Sequence, residues 1–267
     1  SVRTRSALEQ KISAIKSLLI ATGAALTFGA TATTQETLTI EIVEYVPYTG
    51  EALENYGMAS EIASNALERA GYTADFSFVP WRRAYDNTRS TAVDATVPWG
   101  ETEERRREVA YSAPVNNTSP VIYTMADGDF MPTTVDDIMG KTICNPVCYG
   151  FFGVLEPLVD DGNVVHVSPK EMDACFKQLQ HGRVDGVYLN TAEGPAAAKS
   201  GLGATDVVTA HDIGLQPVGQ SLIVSLAHPN RDALLRDFNA ALREMQEDGS
   251  YQAIVERHMA TYRESLK

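Results

Sequence analysis

Arginine and tryptophan crowd one stretch of the chain, residues 78–114, FVPWRRAYDNTRSTAVDATVPWGETEERRREVAYSAP. Trp81 and Trp99 are the chain's two tryptophans, and Arg82, Arg83, Arg105, Arg106 and Arg107 lie beside them. A guanidinium holds a carboxylate with two parallel hydrogen bonds. An indole ring offers flat contact area with one polar edge, which suits a half-wet cleft. The chemistry these residues suggest is therefore recognition of a small anion. Bond-making chemistry has less to stand on: no Ser-His-Asp order, metal-ligand spacing or phosphate loop is present, and Glu101, Glu103 and Glu104 read as helix capping and solvation.

Such residues need a scaffold that brings them to one crevice. Residues 93–97 read as a short buried strand, which Pro98-Trp99-Gly100 is expected to end. Thr102 then stands as a cap before Glu103-Glu104-Arg105, with acids in the first turn of a helix. A strand that delivers a loop to a helix N-terminus is a common anion site in α/β proteins. Upstream, residues 38–43 alternate as a strand, 57–70 carry a helical apolar stripe closed by Gly71, 75–79 form a second strand and 83–90 a second helix. This β-α-β-α-β order predicts a parallel sheet covered by helices. A second α/β unit starts near Asp136, with strands at 141–145 and 164–167 and a helix at 171–181. The loop at 146–153 is rich in glycine and aromatic residues and includes Tyr149. Further on, 222–225 reads as a strand and 232–247 and 251–262 as helices around a break at Asp248-Gly249.

Several of these features together resemble the extracytoplasmic solute-binding proteins of ABC transporters, of the polar amino-acid-binding type (bacterial family 3). They are the strand and loop followed by T-x-E-R (Thr102 to Arg105), Y-S-x-P (Tyr111 to Pro114), the G-x-x-D strand motif at Gly182 to Asp185, and D-G-S-Y at Asp248 to Tyr251. The resemblance runs from Leu38 to the C-terminus. It implies a type II fold of two α/β lobes joined by two hinge crossings, with residues 38–121 plus 218–267 as lobe 1 and 122–217 as lobe 2. It implies that the chain binds a small polar, carboxylate-bearing solute and delivers it to a membrane permease, as a monomer and without a cofactor.

Residue by residue, the resemblance makes Arg105 the carboxylate clamp. It places Trp81 against the ligand's side chain, unless that ring caps the sheet as core. It puts Tyr45 and Tyr48 in a cleft-lining loop, unless one of them simply packs. Trp99, Gly100 and Thr102 belong to the loop before the arginine, where Gly100 or Thr102 offers backbone N–H groups. That loop lacks the family's hydroxyls and is one residue shorter. The family's aspartate for an α-ammonium falls at Asn190, leaving Glu193 or Glu44 to compensate. An enzyme on the same scaffold, of the dehydratase or lytic transglycosylase kind, and a ligand-sensing domain are the competing readings.

Bulk properties fit these expectations. The 267 residues suffice for one large core or two modest ones. A net charge of −13 argues against nucleic acid as a partner. Residues 1–32 combine Arg3, Arg5, Lys11 and Lys16 with an apolar run ending in Ala30-Thr31-Ala32, the pattern of a cleaved signal peptide for export to the periplasm; the run is short for a membrane anchor. An oxidising compartment predicts one disulfide among Cys144, Cys148 and Cys175. Cys144 and Cys148 could pair across a tight loop, but Cys144–Cys175 is favoured because it ties a helix to its sheet. His166, His181 and His211 show no zinc-ligand spacing around these cysteines.

Overall fold

The structure, a computed structural model, describes residues 35–267. The signal peptide expected over 1–32 lies outside the described residues. Two five-stranded mixed sheets, each with helices packed on it, form the two lobes.

In the first lobe, β1 (Glu36–Ile42) lies between β2 (Tyr72–Phe78) and β3 (Ala95–Gly100), parallel to both. β10 (Val218–Ser225) and β4 (Val109–Thr118) complete the order β2-β1-β3-β10-β4, and β10 runs antiparallel to its neighbours. Helix α1 (Met58–Arg69) buries Ile62, Ala63, Ala66 and Leu67, the apolar stripe expected from its spacing. Helix α7 (Arg231–Glu247) buries Leu234, Phe238, Leu242 and Met245 in the same core. Helix α8 (Ser250–Ser265) follows the break at Gly249, whose φ of 82° is a conformation that glycine adopts without strain.

The chain leaves the first sheet after Thr118 and enters the second at Pro120, so the whole of β5 (Pro120–Met125) belongs to the second lobe. There β6 (Thr142–Cys144), β7 (Val165–Val167), β8 (Gly186–Asn190) and β9 (Val208–His211) give the order β7-β6-β8-β5-β9. Helix α5 (Met172–Gln180) buries Cys175, Phe176 and Leu179, and Cys175 is bonded to Cys144 at the end of β6 with 5.5 Å between Cα atoms. The disulfide thus pins a helix to its strand, as the sequence favoured, and Cys148 keeps a free thiol. The chain returns through residues 212–217 to β10.

The remaining α-helices of the described residues are α2 (Trp81–Arg89), the short α3 (Glu103–Arg106), α4 (Leu155–Asp160) and α6 (Gly194–Leu202). One expectation needs correction. Pro98 does not end β3: the strand runs on to Gly100 because Trp99 and Gly100 pair with Ser221 and Gln220 of β10. A proline costs a ladder one donor, and an antiparallel neighbour joined through the flanking residues tolerates that loss.

Candidate functional site

β1, β3, β6 and β8 all end at the crevice between the lobes, where open α/β sheets place their ligands. A cavity of about 40 Å3 remains there, room for a few water molecules. Sites for small organic ligands occupy roughly 300–1,000 Å3. This cavity therefore holds a ligand of amino-acid size only when the lobes part around it; a wider groove of about 660 Å3 between the lobes adjoins it at Trp81, Cys148 and Tyr149.

Arg105 leaves α3 and points into this cavity. Thr102 caps the helix by accepting the Arg105 backbone N–H at 3.3 Å, which fixes the arginine on the first turn. The guanidinium donates to the Gly100 carbonyl at 2.8 Å and to the Cys148 carbonyl at 2.8 Å, one oxygen from each lobe. It also lies over the Trp99 ring, 4.9 Å from its centroid. Burial lowers its pKa from the ordinary value, although a guanidinium stays protonated. Among the described residues no carboxylate is within ion-pair distance of it. Arg106, next in sequence, is exposed and paired with Glu101 and Glu103, and Arg82 is exposed and paired with Asp86.

Aromatic rings wall the cavity. Trp81 packs edge-on to Trp99 with centroids 5.0 Å apart and to Tyr45 at 5.4 Å. Tyr149, from the second lobe, meets Tyr45 at 5.9 Å and Trp81 at 5.6 Å. Trp99 is 2 % exposed, held by its indole N–H on Thr96 at 2.9 Å. Phe152 closes the Arg105 end: a Cβ on Gly100 would lie 2.5 Å from its Cζ, so glycine lets the two lobes approach this closely.

The opposite end is a neutral network. Asn190 Nδ2 donates to the Tyr45 hydroxyl at 2.9 Å and to Glu193 at 3.3 Å. Its Oδ1 accepts from the Ala192 and Glu193 backbone N–H groups at 3.0 and 2.8 Å and from Tyr48 at 3.3 Å. Gln220 on β10 also donates to the Tyr45 hydroxyl, at 3.1 Å, and is itself held by Asn116 at 2.8 Å. Glu193 lies one layer behind, accepting from the Tyr149 hydroxyl at 2.8 Å. Burial pushes its carboxyl up to about 8, against the opposing hydrogen bonds of Tyr149 and Asn190. Tyr262 of α8 donates to the Ala192 carbonyl at 2.6 Å, another bond across the lobes.

Of the residues singled out from sequence, Arg105, Trp81, Tyr45, Trp99, Gly100, Tyr149 and Asn190 line the same cavity. Tyr48 sits behind Asn190, and the Thr102 hydroxyl is spent on the cap; neither lines it. Glu44 is exposed, and its carboxylate accepts the Glu51 backbone N–H at 2.8 Å. Gln220, Asn145 and Phe152 line the cavity without having been anticipated. A glutamine beside a serine at the start of the largely apolar β10 and an asparagine directly after β6 were the available signals. Among the described residues no three His, Cys, Asp or Glu side chains gather as a metal site.

Comparison with solved structures returns the same architecture at low identity. An ancestral arginine-binding protein bound to arginine is 21 % identical, with a TM-score of 0.67 over 83 % of this chain and 97 % of that one. A histidine kinase sensor domain with similarity to periplasmic binding proteins is 18 % identical, with a TM-score of 0.69 over 84 % and 96 %. The substrate-binding protein of an amino acid ABC transporter is 18 % identical, with a TM-score of 0.64 over 83 % and 98 %. The comparison with curated proteins found no match. The sequence profile of the bacterial extracellular solute-binding proteins, family 3, matches residues 41–261, and the chain belongs to that family.

Proposed function

We propose that the chain is an exported binding protein that captures a small carboxylate-bearing solute between its lobes and hands it to an ABC importer as a monomer. The observation that carries this reading is Arg105, the one charged side chain lining the interlobe cavity among the described residues. It is held by carbonyls of both lobes, so a carboxylate bound there would be gripped as the lobes close. Ser119 and residues 212–217, the two crossings between the sheets, serve as the hinge. Trp81, Trp99, Tyr45 and Tyr149 supply contact area, and Gly100, Thr102, Tyr48 and Asn190 shape and support the site. The similarity to a kinase sensor domain supports a second reading, in which the same capture reports to a receptor. No catalytic step is assigned, because Arg105 holds an anion and Glu193, whose carboxyl pKa burial raises, does not line the cavity.

A thermal-shift screen of amino acids, opines, small carboxylates and betaines tests the reading, since a ligand that binds only the folded chain raises its melting temperature. Carboxylates should stabilise the wild type and leave Arg105→Ala unmoved. Equal stabilisation of both proteins would contradict it.

A further inference from the structure

Resting on that reading, we propose that the solute is a carboxylate carrying a hydroxyl or other neutral donor and no ammonium group: a hydroxy acid, not an amino acid. Four features of the cavity lead there.

The first is charge. Among the described residues no carboxylate lines this cavity; Glu44 and Glu171, and Glu104, Glu156 and Asp160, line the two neighbouring grooves instead, so an ammonium enclosed beside Arg105 would be a second cation without a counter-ion in the same cavity. The second is the direction of the Asn190 amide. Its oxygen is turned back onto the Ala192 and Glu193 N–H groups and Tyr48, and it is the NH2 group that reaches Tyr45. The third is Tyr45, 6 % exposed. Its hydroxyl oxygen accepts from both Asn190 and Gln220, and no bond among the described residues uses its hydrogen. It is left to donate, so this end of the cavity asks for an acceptor, as the remaining Arg105 N–H groups do at the other end.

The fourth is Asn145, 1 % exposed, whose Nδ2 donates to the Gly150 carbonyl at 2.7 Å. That bond fixes the amide's orientation and leaves Oδ1 buried with no partner. A buried lone acceptor costs stability until something donates to it. Being neutral, it suits a hydroxyl. Glu193 does not reverse this balance, since it stands behind Tyr149 and Asn190 without lining the cavity, and burial raises its pKa.

Calorimetric titration of the whole exported chain with three matched triads tests the proposal: L-lactate, L-alanine and propionate; L-malate, L-aspartate and succinate; L-2-hydroxyglutarate, L-glutamate and glutarate. In the best-binding triad the hydroxy acid should bind at least tenfold more tightly than the amino acid. Asn190→Asp, which puts a carboxylate at the end of β8, should shrink or invert that ratio. Asn145→Leu should narrow the gap between the hydroxy acid and its deoxy analogue. An amino acid that binds as tightly as its hydroxy partner, or more so, overturns the proposal while leaving carboxylate capture intact. Failure of all nine acids to bind overturns capture as well. The wild-type comparison decides the matter even where a variant fails to fold.

Discussion

The two ends of the interlobe cavity are built on different principles. At one end a single cation, Arg105, rests on two carbonyls and an indole face. At the other, Tyr45, Asn190 and Gln220 share their hydrogen bonds with no formal charge among them. The charged end is mostly short-range: Gly100, Thr102 and Arg105 lie within six residues and are set by one strand, one cap and one helical turn, with the Cys148 carbonyl its distant partner from the second lobe. The neutral end is long-range, since Tyr45, Asn190 and Gln220 stand 145 and 175 residues apart along the chain when measured from Tyr45. A charge placed by local geometry supplies affinity, whereas a network shared across both lobes exists only when they meet. The first end should therefore govern how tightly a ligand holds, and the second how closure responds to conditions.

The sharpest break between the two ends should come from Arg105→Ala. Removing one partner of a desolvated arginine–carboxylate contact costs about 3–5 kcal/mol, or roughly two to three decades of affinity at ~1.4 kcal/mol per decade. Arg106→Ala should change affinity little, because its pairs with Glu101 and Glu103 are exposed, and such pairs contribute about 0–1 kcal/mol. Titration calorimetry on both variants checks this, and equal losses would show that the motif contributes only general positive charge.

Replacing Cys144 and Cys175 together by alanine should lower stability by about 3–4 kcal/mol, given the 31-residue separation. Chemical denaturation reads the loss. Because the bond anchors the strand just before Asn145 and the Cys148 loop, ligand affinity should fall as well; a change in stability alone would show that α5 does not position that loop.

Glu193→Gln tests the neutral end. The folded carboxyl titrates near 8, well above its ordinary 4.5, so the folded chain binds the extra proton. Its contribution is fully present below about pH 4.5 and is lost as pH rises through 8. The wild type should therefore lose about 2–4 kcal/mol across that window relative to the glutamine variant, which keeps an acceptor for Tyr149. Melting temperatures of the two proteins from pH 5 to 9 should converge at the acid end and separate at the alkaline end. Parallel curves would mean that Glu193 is ionised in the fold.

The smallest effect expected is at Gly100. An alanine Cβ would press on Phe152, so Gly100→Ala should weaken ligand binding up to about tenfold by hindering closure. Adding Phe152→Ala should recover part of the loss. A double variant as weak as the product of the two single changes would indicate that the contact does not gate closure.

How much was legible in the sequence follows the same division. The two-lobed fold and most strands and helices could be read because their patterns are local: the stripe of α1, the Thr102 cap, the run 222–225 within β10. The place of Arg105 at the cavity was readable for that reason. β4 was not, because VAYSAPVNNT is broken by proline and asparagine, and it forms a strand only by pairing with β10 through two register shifts. Asn145, Phe152 and Gln220 gave weak signals because their meaning depends on residues far away in sequence. Glu193 could be named as a spare carboxylate, but only burial behind Tyr149 shows why it is not a free anion.

The central claim is that Arg105 reads a carboxylate in a cavity that no other charged side chain lines among the described residues. The most direct test is a four-way titration: wild type and Arg105→Met, each against the tightest-binding acid of the nine and against its primary amide. The amide keeps the size and the carbonyl and replaces the charged oxygen with a donor. The wild type should prefer the acid by about two decades or more, and Arg105→Met should show little preference because both forms now meet an apolar side chain. The same preference in both proteins would contradict the claim and place the charge reader elsewhere in the chain.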